Sequence, residues 1–134
     1  MSTDNATLVR ETYEAFGRGD IPAVLDRFAD DVTWNVPDVL PHGGSVVGKE
    51  AVGGFFQSLA EKWDDFGLEI DDMTVAGDRA YISGRASGTY RGRAAGYGFV
   101  HAWTIEEGAC ARFDEYVDPS PELVAAAAAA APAG

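Results

Sequence analysis

Apolar residues change their spacing once along this chain, and that change restricts the folds open to it. Before Asp64-Asp65 they recur near every 3.6 residues; after it they alternate with a period near 2. The first half therefore reads as helices and the second as strands. Val9, Tyr13 and Phe16 mark an amphipathic helix stopped by Gly17 and Gly19. Asp20 can cap a second short helix, with Pro22 in its first turn and Val24, Leu25 and Phe28 facing inward. Val32 to Val36 is a strand ended by Pro37, and residues 37 to 48 form a Pro/Gly-rich loop carrying His42. Lys49 to Trp63 returns to helix, with Val52, Phe55, Phe56, Leu59 and Trp63 on one broad apolar face. That aromatic density exceeds what a lightly buried surface helix needs.

Phe66 opens the first strand of the second half. Ala80 to Tyr90, Gly96 to Glu106 and Ala109 to Val117 follow, the last two joined by a Glu107-Gly108 hairpin turn. Three helices followed by a four-strand meander describe an α+β fold with helices on one face of a curved, mostly antiparallel sheet. A sheet bent in this way is a cone, and it encloses a hollow. The expected organisation is one domain over residues 1–119 and an alanine-rich tail over 120–134. Ser120-Pro121-Glu122 is a good helix start, but the seven alanines from Ala125 to Ala131 bury little, so a frayed helix or disorder is expected there.

Composition narrows the partners. A length of 134 residues suffices for one core, and 46% hydrophobic with 24% charged residues is ordinary for a soluble globular protein. The net charge of -12 argues against nucleic acid and against anionic membrane surfaces. It also slows the approach of anionic substrates, which leaves a neutral hydrophobic small molecule as the expected ligand. Met1 to Thr7 are polar and lack a signal-peptide core, so a cytosolic protein is expected. The single cysteine, Cys110, reads as a packed thiol. Two histidines without a ligand-spaced partner set give no reason to expect a metal, and no glycine pattern suggests a nucleotide cofactor.

Five pieces in order give the chain a resemblance. They are Tyr13-Glu14-Ala15-Phe16-Gly17-Arg18-Gly19-Asp20, Phe28-Ala29-Asp30-Asp31-Val32-Thr33-Trp34, the Gly48-Lys49-Glu50-Ala51-Val52 helix start, His101-Ala102-Trp103-Thr104-Ile105, and Arg112-Phe113-Asp114-Glu115-Tyr116-Val117-Asp118. Together they resemble the SnoaL-like, ketosteroid-isomerase-like branch of the nuclear transport factor 2 superfamily, over about residues 6 to 118. The resemblance implies the cystatin-like cone and homodimers built on the sheet face. It does not imply one reaction, because the superfamily hosts isomerases, cyclases, epoxide hydrolases and proteins without catalysis.

Three activities can be weighed residue by residue. Ketosteroid isomerisation needs a tyrosine, a carboxylate base and an oxyanion-binding aspartic acid. Thr12, Val36 and His101 stand at those places, so the familiar isomerase mechanism is not expected. Epoxide-hydrolase relatives hold water with an Asn and a carboxylate. Asn35, Arg85 and Glu115 match three of their groups, but Ser87 stands where the acid belongs. SnoaL-like polyketide cyclases ask least: one base beside a carbon already acidified by carbonyls. The candidate catalytic residues are therefore Glu115 as base, His101 as proton shuttle or oxyanion donor, and Arg85 with Asn35 as orienting groups.

Glu115 alternates inward with Phe113 and Val117, and a carboxylate desolvated among aromatics suits acid-base work. His101 alternates with Phe99 and Trp103, and a near-neutral imidazole is a natural proton carrier. The structural alternatives are a Glu115 paired with Arg85 across the sheet and a hydrogen-bonded core His101. His42 reads as a solvated loop histidine. Arg85 shares a polar stripe with Ser83, Ser87 and Thr89 that faces either the hollow or the outside, with the hollow slightly preferred. Asn35 and Val36 are adjacent on a strand, so only one of them can point inward. The remaining expected wall residues are Tyr13, Phe16, Trp34, Phe55, Phe56, Leu59, Trp63 and Ser87, with Phe99, Trp103, Phe113 and Val117 from the last strands. The expected function is cofactor-free acid-base chemistry on a hydrophobic substrate; the rivals are a non-catalytic ligand carrier and an epoxide hydrolase.

Overall fold

A computed structural model of the chain describes residues 4–121 and 123–125. Helices α1 (Asn5–Gly17) and α2 (Ile21–Leu25) come first, then strands β1 (Phe28–Val36) and β2 (Gly44–Val47) and helix α3 (Lys49–Lys62). Strands β3 (Trp63–Ala76), β4 (Arg79–Tyr90), β5 (Arg93–Glu106) and β6 (Ala109–Pro119) complete the sheet. Its order is β2-β1-β6-β5-β4-β3, antiparallel throughout except where β1 runs parallel to β6. This is the α+β architecture expected from the two periods.

Local chemistry sets the helix starts. Asp4 accepts a hydrogen bond from the Thr7 amide and caps α1; Asp20 does the same for α2 through the Ala23 amide. Two expectations need correction. Phe28 does not extend the second helix but begins β1, buried against Trp34 and Trp103. Part of the expected 37–48 loop is strand β2, paired antiparallel with β1 from Thr33↔Val47 to Val36↔Gly44.

The sheet is strongly curved. Helix α3 packs on β1 and β2 near one edge and on β3 at the other, which only a sheet curled around the helix allows. Irregularities in β3, between Asp64 and Gly67 and between Ile70 and Asp72, supply the bend. They lie over glycines of β4. A Cβ on Gly84 would run into the Glu69 carbonyl, and one on Gly88 would sit 2.9 Å from the Asp64 oxygen. The tight turns follow the same logic: Arg91-Gly92 and the expected Glu107-Gly108 pair both have positive φ at both residues, the twist a two-residue hairpin prefers.

Alternation then decides what faces the hollow. Tyr97, Phe99, His101, Trp103 and Ile105 of β5 are buried, and Val100 and Glu106 are exposed. On β6 a register shift opposite Thr104 and Ile105 lets Cys110, Phe113 and Glu115 share the buried side. Cys110 is fully buried, as expected of a packed thiol, and burial pushes it up to about 12. The tail begins more firmly than its alanines imply: Leu123 is buried, and its amide donates to Ser120 Oγ. The alanines from Ala126 onward lie outside the described residues.

Candidate functional site

The hollow lies between the helices and the concave side of the sheet. Counting its open mouth it has about 520 Å³ of empty space. Its wall is mostly aromatic: Tyr13 and Phe16 from α1, Phe55 and Phe56 from α3, Phe28 and Trp34 from β1, and Phe66, Tyr97, Trp103 and Phe113 from the later strands. Trp34 and Phe113 sit on neighbouring parallel strands and stack face to face at 3.8 Å, which closes the β1–β6 seam.

One row of polar groups crosses this apolar wall. Trp103 Nε1 donates to the Tyr13 hydroxyl at 3.1 Å, and that hydroxyl lies 2.7 Å from His101 Nδ1. His101 Nε2 lies 3.1 Å from Glu115 Oε2. The register explains the last contact, because His101 and Glu115 are direct cross-strand partners. Both are buried, His101 to 5% exposure and Glu115 to 8%. Phe99 stacks on the outer side of the imidazole at 4.1 Å and fixes its plane.

The arrangement has consistent proton positions. Burial, with the neighbouring Glu115 charge adding to it, raises the Tyr13 phenol well above its ordinary value, so its proton stays on oxygen. That proton can point at Nδ1, leaving the imidazole proton on Nε2 to donate to a Glu115 carboxylate. Glu115 engages His101 through Oε2, and no hydrogen bond to its Oε1 occurs among the described residues. Glu115 also borders a shallow outer groove with Val36, Asp38 and Tyr116.

A second polar row lies elsewhere on the wall. Trp63 Nε1 donates to His42 Nδ1 at 3.1 Å, and His42 Nε2 lies 3.2 Å from the Tyr97 hydroxyl. His42 is thus not a solvated loop residue; it is 4% exposed and lines the hollow. Desolvation pulls it down to about 4, so the imidazole is neutral near neutral pH. The loop is drawn inward by Leu40, itself buried, and tied down where Lys62 Nζ donates to the Pro41 carbonyl at 3.0 Å.

The other expected site residues separate. Arg85 is exposed, and Ser87 with it, on the convex face of β4; neither lines the hollow, and Arg85 does not pair with Glu115. The polar stripe faces outward because Ala80, Ile82, Gly84 and Ala86 take the inner side. Asn35 also points away: its amide donates to Asp114 Oδ1 at 2.8 Å, and Asp114 accepts from Arg112 as well. Desolvation works to raise Asp114, but these two hydrogen bonds outweigh it and hold the carboxyl below its ordinary range. Val32, Trp34 and Val36 take the buried side of β1, which answers the Asn35 or Val36 question in favour of Val36. Even so, Val36, Trp63, Phe99 and Val117 stand behind or beside the wall and not on it. Tyr13, Phe16, Trp34, Phe55, Phe56, Leu59, Trp103 and Phe113 do line it, joined by Thr12, Val24, Phe28, Phe66, Leu68 and Tyr97.

Among the described residues no group of three His, Cys, Asp or Glu side chains gathers where a metal could bind, and no helix is long and apolar enough to cross a membrane.

Comparison with known families fits this cone and its lined hollow. The SnoaL-like domain family matches residues 9–113, more than half of the chain. The protein belongs to the SnoaL-like family. Solved structures agree with the assignment. An NTF2-like protein of unknown function from Burkholderia pseudomallei is 34% identical, with a TM-score of 0.80 over 87% of this chain and 92% of its own. An NTF2-like protein from Burkholderia thailandensis is 29% identical, with a TM-score of 0.82 over 91% and 95%. TerC, co-crystallised with polyporic acid, is 26% identical, with a TM-score of 0.76 over 85% and 91%. Among curated proteins, none matches the sequence.

Proposed function

We propose that this SnoaL-like protein catalyses cofactor-free acid-base chemistry, a polyketide-like cyclisation or an isomerisation, on a hydrophobic small molecule held in the hollow. The observation that carries the reading is the buried Trp103–Tyr13–His101–Glu115 chain ending in a carboxylate oxygen with no protein hydrogen bond among the described residues. In the proposed step Glu115 Oε1 takes a proton from a carbon flanked by carbonyls. The C–H electron pair moves onto the carbonyl oxygen, and the proton stays on Oε1 while Oε2 goes on accepting from His101 Nε2–H. The enolate then either takes a proton back at another carbon or attacks a carbonyl within the same molecule. Retention of a similar fold by TerC, crystallised with polyporic acid, supports a small organic ligand in such a hollow.

Deuterium exchange tests this whatever the native substrate is. Aryl-substituted 1,3-diketones in D2O should lose their acidic C–H faster with the protein than without it, as read by NMR. Glu115→Gln should slow that exchange about a hundredfold while leaving the circular dichroism spectrum intact. Equal exchange rates for the two proteins would reject Glu115 as the base.

A non-catalytic carrier is the second reading. It is favoured by the fact that both His101 nitrogens are already engaged by protein groups. The epoxide-hydrolase reading has less support, since Arg85 and Asn35 lie off the hollow. We also place a homodimer on the convex face, where Tyr81, Val100 and Tyr116 are exposed and Val100 pairs directly with Tyr116 across β5 and β6. A single-subunit mass by light scattering would overturn that assembly.

A further inference from the structure

We infer that the Tyr97 hydroxyl is a fixed hydrogen-bond donor aimed at the ligand, and that the hollow therefore selects molecules bearing a carbonyl, quinone or phenolate oxygen at that end. This deepens the proposed function by naming the ligand chemistry opposite Glu115, and it rests on the reading that the hollow holds a small molecule.

The assignment follows from the polarity of one short chain. An indole N–H can only donate, so His42 Nδ1 must be the acceptor of the 3.1 Å bond from Trp63. His42 is buried and neutral, so its one remaining proton sits on Nε2. That N–H donates to the Tyr97 oxygen at 3.2 Å. The Tyr97 oxygen is therefore an acceptor in this bond, and its own proton has no protein partner among the described residues. Burial, together with the Glu115 charge, raises the phenol far above its ordinary value, so the proton stays on the oxygen.

A buried hydroxyl proton without an acceptor is costly, which makes the site receptive to a ligand oxygen. Tyr97 is 2% exposed and lines the hollow. The indole N–H of Trp34, on another part of the same wall, is also buried without a partner among the described residues. Both unmatched groups are donors, whereas Glu115 is the acceptor. Tyr97 and His101 lie four residues apart on the inner face of β5, about 13 Å along the strand, with Glu115 beside His101. The two ends of the hollow thus ask for opposite chemistry from one molecule: an oxygen acceptor at Tyr97 and an acidic hydrogen at Glu115.

Two matched probes test the inference, 2-acetylnaphthalene and its hydrocarbon counterpart 2-ethylnaphthalene. In wild-type protein the ketone should bind about tenfold more tightly than the hydrocarbon, and its C=O stretch should move to lower frequency than in alkane solvent. Tyr97→Phe should abolish both the preference and the shift while leaving hydrocarbon affinity unchanged. If that variant does not fold, the wild-type infrared band alone decides, because a stretch at the alkane-solvent frequency overturns the inference. Hydrocarbon binding without any ketone preference would defeat the Tyr97 assignment and leave the hydrophobic pocket standing. If neither probe binds, the inference falls together with the ligand pocket.

Discussion

Two histidines in this protein sit in similar surroundings but in rows that end differently. His101 and His42 are each buried on the wall of one hollow, and each belongs to a row headed by a tryptophan N–H. The His101 row ends in the Glu115 carboxyl group. The His42 row ends in a phenol, and desolvation holds its imidazole neutral down to about 4. The difference lies at the far end of each row: a carboxyl group beside His101, a phenol beside His42. A phenol does not offset the hydration that a buried imidazolium would lose, which fits the lowered value of His42.

The largest expected effect separates the rows by their outputs. Glu115→Gln should cut deuterium exchange about a hundredfold, equivalent to about 2.7 kcal/mol of barrier, and should leave the ketone stretch of bound 2-acetylnaphthalene unmoved. Tyr97→Phe should do the reverse to the infrared band. Loss of the ketone shift in Glu115→Gln would mean that the rows form one unit, and the comparison would fail.

A smaller effect reads the His42 row through stability. Its folded value near 4 lies below the ordinary 6.5, so between those values the unfolded chain binds the proton and the folded chain does not. The stability at issue is therefore fully present above pH 6.5 and is lost as pH falls toward 4. Between pH 8 and pH 5 the loss is about 2 kcal/mol. Desolvation dominates; the Glu115 charge opposes it by favouring the cation, and Lys62 adds to it. Urea denaturation of His42→Gln should show that part of the pH slope removed. An unchanged slope would place His42 in contact with water and break the contrast with His101.

What the sequence reveals, and what it hides, follows from the range of the forces involved. The period change at Asp64-Asp65, the Asp4 and Asp20 caps and the Glu107-Gly108 turn are local, and they lead directly to the elements observed. Strand alternation carries Glu115 and His101 inward together because both strands keep their register at that pair. His42 escapes such reasoning because loop composition says nothing of where a loop folds, and its partners Trp63 and Tyr97 are 21 and 55 residues away. Tyr97 shares the inward alternation of Phe99, His101 and Trp103, but nothing local shows that its hydroxyl meets His42. Arg85 lands on the unexpected face for a different reason: alternation gives two faces but does not label them. Small inward residues at Ala80, Gly84 and Ala86 are the missing label, since they leave room for the aromatics opposite.

The smallest expected effect tests that face assignment. Arg85 is exposed on the convex side of β4, opposite Gly98 of β5 and Glu69 of β3, and makes no ion pair among the described residues. Removing its charge should leave the hollow and both histidine rows untouched. Arg85→Ala should therefore keep exchange rates within about twofold of wild type and shift stability by no more than about 0.5 kcal/mol. A tenfold loss of exchange in this variant would mean that the guanidinium reaches the reacting molecule from the far side of the sheet. The hydrogen-bonded backbone of β4 and its neighbours β3 and β5 stands between those positions, so the loss would require a sheet opened along β4.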